Sequence, residues 1–313
     1  MLRIAVAGAT GRIGRPLCQE LIGAGHAVTV ISRDPARAAA VVKGADGYIG
    51  WQPASAEFRG RLGASDAVVY LAGAPLFNGR RHGRADVEAE SRARVAALGQ
   101  LAAALADLGA LGRRPSTLVV ASSVGYYGYL GRSDAPVDES SPSGTDWWGR
   151  DSAAIEDASR AAGSHGARTV LLRTGYVLTG ESLAGQATQF RHHFGGWIGS
   201  GRGWTPWIHI ADETGIIRFA LEHQDIGGPL NLTAPAPVRG REFACLLGRA
   251  LGRRAWLPVP SPLVRMGLGV VTDILVHGKR VVPAKAASAG CQFRFPDAEA
   301  ALRDLVASGG ALR

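Results

Sequence analysis

The stretch Ala5–Gly14, reading AVAGATGRIG, constrains the fold more than any other part of the chain. Ile4–Ala7 is a short apolar run with the length and flanks of a buried strand, and Gly8, Gly11 and Gly14 then open a helix that begins near Arg12 and continues through Pro16, Leu17, Leu21 and Ile22. In such a strand–turn–helix the first glycine permits a tight turn and the second lets backbone N–H groups approach a pyrophosphate. The third brings the helix close to the sheet, with the anion at the positive end of the helix dipole. Glycines also end strands for steric reasons alone, so the motif counts through its context: a second strand follows at Ala27–Ser32. Gly8, Thr10, Gly11, Arg12, Ile13 and Gly14 are the expected cradle.

Strand and helix patterns alternate over the following 150 residues. His26–Ser32 is the second strand, Gly47–Trp51 a weakly signalled third, and Asp66–Ala72 a clear fourth, apolar throughout as a parallel strand covered on both faces must be. Ala85–Leu108 carries Val95, Leu98, Leu101 and Leu105 at helical spacing, Ser116–Ser123 is a fifth strand and Arg168–Arg173 a sixth. The alternation predicts an α/β fold, a Rossmann-type doubly wound parallel sheet. Gly185–Trp207 is rich in glycine and aromatics without clean periodicity, which suits a pocket wall. A helix over Glu213–His223 capped by Asp212 and a strand at Leu230–Leu232 resume the pattern. Beyond Ala236, helical segments separated by prolines (Val238–Leu251, Pro258–Val276, Asp297–Val306) read as a small, mainly helical lobe. The expected division is 1–235, with 179–207 contributing to a substrate cleft, and 236–313.

The chain's 313 residues supply ample core. Its formal charge of +9 raises a nucleic-acid reading, but lysine occurs only at Lys43, Lys279 and Lys285 and the arginines are scattered, whereas a nucleic-acid footprint is clustered. Cys18, Cys245 and Cys291 lack metal-ligand spacing and read as small core residues, and no metal site is expected. No apolar run approaches the roughly 20 residues of a membrane span, and the chain opens directly on its first strand, so the expected partner is a small molecule and the expected location cytoplasmic. Oligomeric state is not encoded in any pattern.

At the end of the second strand an acidic residue would accept hydrogen bonds from the adenosine ribose of NAD; Arg33 stands there instead, with Ser32 before it, which suits a ribose 2′-phosphate and favours NADP(H). Leu71, Ala72 and Gly73 end the fourth strand at the edge where cofactors bind.

Taken in order, GATGRIG, YLAG (70–73), SSVGYYG (122–128), RTGYVL (173–178), WIHIAD (207–212) and GKRVVPAK (278–285) resemble the epimerase-family subgroup of atypical short-chain dehydrogenases called YfcH-like, which end in a small domain of unknown function. The resemblance covers nearly the whole chain. It implies NADP(H) at the sheet edge, contacts from Thr174 and Gly175, a cleft beneath the carboxyl-terminal lobe, and hydride chemistry at a carbinol or carbonyl carbon. In the superfamily a serine hydrogen-bonds the reacting oxygen and a tyrosine moves the proton. A lysine four residues beyond lowers the tyrosine pKa, since a free phenol near 10 is a poor acid–base partner at neutral pH.

Ser122 matches the serine of the subgroup and Ser123 that of better-known epimerases. The YxxxK pair is missing: no tyrosine has lysine four residues on, and counting from Ser123 places Trp148 in the tyrosine slot and Ser152 in the lysine slot. Two readings remain. Tyr126 or Tyr127 donates the proton, with Arg150 or a ribose hydroxyl assisting, or the protein binds NADP(H) without turnover. Trp147, Trp148, Trp207 and His209 are expected around the substrate pocket, His209 either as an acid–base group or as a structural residue.

Overall fold

The computed structural model describes residues 1–74, 80–112, 115–129, 133–164 and 166–308. The chain runs through β1 (Arg3–Ala7), α1 (Gly14–Gly23), β2 (Ala27–Ser32), α2 (Pro35–Val41), β3 (Gly47–Gly50), α3 (Ala56–Gly63), β4 (Ala67–Tyr70), α4 (Arg84–Ala110), β5 (Thr117–Ser123), α5 (Trp147–Gly163) and β6 (Arg168–Thr174). It continues as β7 (Tyr176–Leu178), α6 (Gly180–Arg191), β8 (Gly196–Ile198), β9 (Trp204–Thr205), β10 (Trp207–His209), α7 (Ile210–Glu222) and β11 (Gly228–Leu232). The rest comprises β12 (Val238–Arg239), α8 (Gly240–Ala250), β13 (Leu257–Val259), α9 (Ser261–Leu268), α10 (Thr272–Val276), α11 (Ala284–Ser288) and α12 (Ala298–Ser308). Local chemistry sets many of these boundaries. The Asp34 carboxylate caps α2 through the Arg37 N–H, with Pro35 in the first turn, and Ser55 caps α3 through Phe58.

Seven strands form one sheet in the order β11-β6-β5-β4-β1-β2-β3, every pair parallel. The doubly wound sheet is therefore as the sequence predicts, and its order reverses between β1 and β4, where ligands bind in such folds. One face buries Leu17 and Leu21 of α1 with Ile216 and Ile217 of α7, and the other buries Phe58, Leu98, Leu101 and Ile155. A third core, with Phe190, Trp207, Phe243, Leu247 and Leu302, joins α6, α8 and α12.

Two expectations need correction. The stretch read as aperiodic from Gly185 begins inside α6: Thr179 and Ser182 cap one another's backbone, and Leu183, Ala187 and Phe190 face the core at helical spacing. Glycines at 180 and 185 mask that period. Second, the cap of α7 is His209, whose Nδ1 accepts from the Ala211 N–H; Asp212 lies in the first turn and accepts from the backbone N–H groups of Arg294 and Phe295, pinning the carboxyl-terminal lobe. Among the described residues no helix is long and apolar enough to cross a membrane.

Candidate active site

The glycine turn is built for close approach. Gly8 has φ +84°, and a Cβ there would meet the Ala72 nitrogen and the Leu71 carbonyl carbon at 2.7 Å, so the turn lies flat on the end of β4. A Cβ on Gly14 would drive into the Gly8 carbonyl oxygen, so only glycine lets α1 start this close to β1. Helix α1 has no side-chain cap and no acidic residue in its first turn, and Thr10 and Gly11 are exposed at its mouth with Ile13 half-buried behind them. An uncapped helix start at the switch point fits the pyrophosphate of a dinucleotide.

Around this cradle, Arg33 is exposed at the end of β2 and makes no ion pair among the described residues, while the Ser32 hydroxyl accepts from the Asp34 N–H at 3.1 Å. Arg12 reaches the other way, pairing with Glu181 of α6 at 2.8 Å, so it ties the turn to the neighbouring wall. Gly73 lies over Arg94, a residue the sequence reading missed: its Nη2 donates to the Ala121 carbonyl at 2.5 Å, joining the ends of β4 and β5, and desolvation pushes its pKa down. At the end of β6, Thr174 donates to Glu213 at 3.0 Å and Gly175 packs against the Pro206 carbonyl with no room for a Cβ.

The serine–tyrosine side of the edge is organised by a buried ion pair. Glu156 of α5 and Arg173 of β6 meet through two hydrogen bonds, Nε to Oε1 at 2.8 Å and Nη2 to Oε2 at 3.0 Å, with neither side chain more than 2% exposed. Burying two charges is tolerable because each is satisfied several times over. Glu156 also accepts from Ser122 Oγ at 2.9 Å and from Arg160, and Arg173 Nη1 donates to the Tyr127 hydroxyl at 2.9 Å. Tyr127 in turn donates to Asn231 Oδ1 at 2.7 Å. Its hydroxyl is thus committed on both sides, and burial pushes its pKa up to about 12. Tyr126 is half-buried, with the Arg173 guanidinium carbon 3.5 Å from its ring centroid. The cation beside the tyrosine pair is therefore Arg173. Arg150, the expected partner, is exposed and donates to the Thr145 carbonyl. Ser123 Oγ accepts from the Gly125 N–H and caps a short 3-10 turn, Val124–Tyr127.

Helix α5 presents Trp148, Ser152 and Glu156 four residues apart on one buried face, so the tyrosine and lysine slots of the pattern do face inward. Trp148 stacks on Trp147 with centroids 4.1 Å apart and packs edge-on to Tyr129, beside Val87, Val270 and Ile274, while Trp147 lies half-exposed beneath Arg84. Two expected pocket residues lie elsewhere. Trp207 is 0% exposed in the third core, its indole donating to the Ala236 carbonyl, and His209 is stacked on Phe295 with Nε2 3.4 Å from Asp304. Burial holds the His209 pKa below its usual value. The short pairing of β10 with β7 turns both side chains beneath the carboxyl-terminal lobe.

A model of the NAD dependent epimerase/dehydratase family matches residues 4–232, and one of a domain of unknown function, DUF1731, matches residues 259–305. The chain is 36% identical over 311 residues to the mouse epimerase family protein SDR39U1, covering 98% of this chain and 100% of that one. It is 37% identical over 295 residues to the Mycobacterium bovis epimerase family protein Mb2239, covering 93% of each. The crystal structure of human SDR39U1 (isoform 2) with NADPH superposes with a TM-score of 0.82 at 34% identity, over 98% of this chain and all of that one.

Proposed function

This chain belongs to the NAD dependent epimerase/dehydratase family, and on that premise we propose that it is an NADP(H)-dependent oxidoreductase or epimerase of the extended short-chain dehydrogenase type, acting on a small or sugar-like substrate without a YxxxK pair. The bound dinucleotide would supply the hydride. Gly8, Thr10, Gly11, Ile13 and Gly14 would hold its pyrophosphate, Arg33 and Ser32 the 2′-phosphate, and Leu71, Ala72 and Gly73 the edge beside them. NADPH in the human relative supports the choice of dinucleotide.

The observation that carries the reading is the Arg173 guanidinium over the Tyr126 ring. It lays a buried cation, itself paired with Glu156, on the face of the one tyrosine ring of the pair whose hydroxyl is not committed to Asn231, and so fixes that ring at the sheet edge where the proton donor would stand. Ser122, whose own proton goes to Glu156, presents only its lone pairs outward and would accept from a substrate hydroxyl. Tyr127 would hold Arg173 in place by accepting from its Nη1. A second reading, a cofactor-binding sensor without turnover, draws on Trp148 and Ser152 standing in the tyrosine and lysine slots.

NADPH absorbance over a panel of carbonyl compounds, with chromatographic detection of epimerised product for nucleotide sugars, where the hydride is returned and no net NADPH is consumed, separates the two. Turnover is expected, with Tyr126→Phe lowering kcat by about 100-fold or more while NADPH affinity holds. Turnover that survives Tyr126→Phe removes that residue as donor, and no turnover with tight NADPH binding favours the sensor. Equal affinity for NADPH and NADH would remove the role given to Arg33.

A further inference from the structure

Helices α6 and α8 each end in a short connection that leads into a strand, and those strands, β8 and β13, pair in parallel with Gly196 opposite Leu257. The register lays the connection at 192–195 beside the one at 251–256. Glycine makes the contact close: a Cβ on Gly195 would enter the Phe190 ring, and one on Gly196 the Leu257 carbonyl oxygen. The backbone N–H groups of Trp256 and Leu257 both donate to the Gly195 carbonyl, and the Trp256 indole donates to the His193 carbonyl at 2.8 Å. His193 turns the chain with φ +63°, the one non-glycine residue at positive φ among the described residues.

Two braced tips therefore stand side by side, and both expose aromatic rings: Phe194 is 61% exposed and Trp256 58%. The Trp256 N–H is satisfied within the tip, so both rings offer apolar surface. Arg191, Arg253 and Arg254 lie exposed on the same two tips. Arg254 makes no ion pair among the described residues, and Arg253 donates to the Gly252 carbonyl. On the last turn of α8, Arg249 takes up Glu299, which Arg303 shares. Neither 182–211 nor 243–272, the stretches that supply the tips, contains an aspartate or glutamate. Arginines scattered along the sequence are gathered here by the fold. The patch also stands apart from the cleft. Helix α8 starts where Gly240 and Arg241 donate to the Gly203 and Gly201 carbonyls, and its 11 residues carry the chain about 16 Å away.

Apolar rings flanked by arginines match a layer that is anionic at its surface and apolar beneath. The area points the same way. Two rings exposed to this degree offer roughly 250 Å², well short of the about 800 Å² that each partner brings to a specific protein complex but suited to shallow insertion among lipid headgroups. A nucleic-acid strand is held by cations that track along a groove, whereas these are gathered at two loop tips.

We propose that the paired tips are a docking surface for an anionic lipid bilayer, with Phe194 and Trp256 entering the headgroup layer and Arg191, Arg253 and Arg254 binding its phosphates. Co-sedimentation of the full chain, saturated with NADPH, with lipid vesicles tests this. Phosphatidylcholine vesicles containing about one-third phosphatidylglycerol should bind it about tenfold or more tighter than phosphatidylcholine alone, and about 1 M salt should release it. Joint substitution Arg253→Gln and Arg254→Gln should weaken binding about 20-fold and Phe194→Ser about tenfold, with NADPH affinity, the check on folding, unchanged in both. Brominated phosphatidylcholine in the same vesicles should quench tryptophan fluorescence in the wild type and far less in Trp256→Phe, which keeps an apolar ring and still binds. Should Trp256→Phe fail to fold, the arginine pair and Phe194→Ser carry the test. Absent binding, equal binding to neutral and anionic vesicles, wild-type binding by the arginine or Phe194→Ser variants, or quenching that Trp256→Phe leaves intact overturns the proposal. So does a single-stranded oligonucleotide or polyglutamate that binds the tips more tightly than the vesicles do.

Discussion

Around β1, β2 and β4 the carboxyl edge of the sheet is made of backbone; around β5, β6 and β11 it is made of side chains. In the first half, Gly8, Gly11 and Gly14 create a surface by lacking Cβ atoms, and the work is done by a turn lying on β4 and a helix start with no cap. In the second, Ser122, Glu156, Arg173, Tyr127 and Asn231 form one hydrogen-bonded chain, each group positioned by the next. A backbone site tolerates almost no added volume but is indifferent to charge. A buried polar network is the reverse: its geometry has slack, yet removing any charge leaves another stranded. The two halves should therefore fail to different substitutions.

Arg173→Leu should do the most damage. It strands Glu156, fully buried, with only Arg160, Ser122 and no interior cation, and breaking a buried pair in this way costs roughly 3–5 kcal/mol. Urea denaturation should show that loss, while NADPH affinity, measured by fluorescence on the fraction still folded, should stay within about twofold. A parallel drop in NADPH affinity would mean that the two halves are one unit.

Gly14→Ala is the converse. Its methyl would enter the space of the Gly8 carbonyl oxygen, and forcing α1 outward should cost about 1–3 kcal/mol. Here NADPH affinity should fall by about tenfold or more, because the helix start and the turn separate together. A destabilised variant that binds NADPH as tightly as wild type would show that the cradle does not position the pyrophosphate.

The same contrast decides what could be read from the sequence. Gly8 to Gly14 and Arg33 were legible because a backbone cradle is continuous in the chain: strand, turn and helix follow within about 20 residues, and the next strand ends on Arg33. The side-chain half is assembled across the chain. Tyr127 and Asn231 stand 104 residues apart and Ser122 and Glu156 stand 34 apart, and neither the carboxylate on α5 nor the arginine on β6 carries a local mark. Arg150 was the nearer cation in sequence and Arg173 the nearer in space. His209 illustrates the same limit on a smaller scale: serine, threonine, aspartate and asparagine are the usual helix caps, so Asp212 drew the assignment although the histidine three residues earlier makes the bond. The hydrophobic period of α6 was present in the sequence, but two glycines concealed it.

Glu213 lies on the seam between the halves and should give the smallest effect. Its helix, α7, packs on α1, while its Oε1 accepts from Thr174 at the end of β6 and its Oε2 is buried without a partner. Burial pushes its pKa up to about 8 from an ordinary 4.5. A carboxyl raised on folding is protonated in the folded chain and ionised in the unfolded one between those two values. It thus stabilises fully below about 4.5 and loses that contribution as pH rises through about 8. His209, held low by burial, acts in the opposite sense and only below its ordinary 6.5, so the interval from pH 6.5 to 8.5 isolates Glu213. Over that interval Glu213→Gln, which keeps an acceptor for Thr174, should flatten the fall in unfolding free energy by about 1–2 kcal/mol. An unchanged slope would show that the carboxyl does not titrate there. A change in the pH dependence of NADPH affinity as well would mean that the end of β6 and the start of α1 respond to one proton, and that the seam couples what Arg173→Leu and Gly14→Ala are expected to separate.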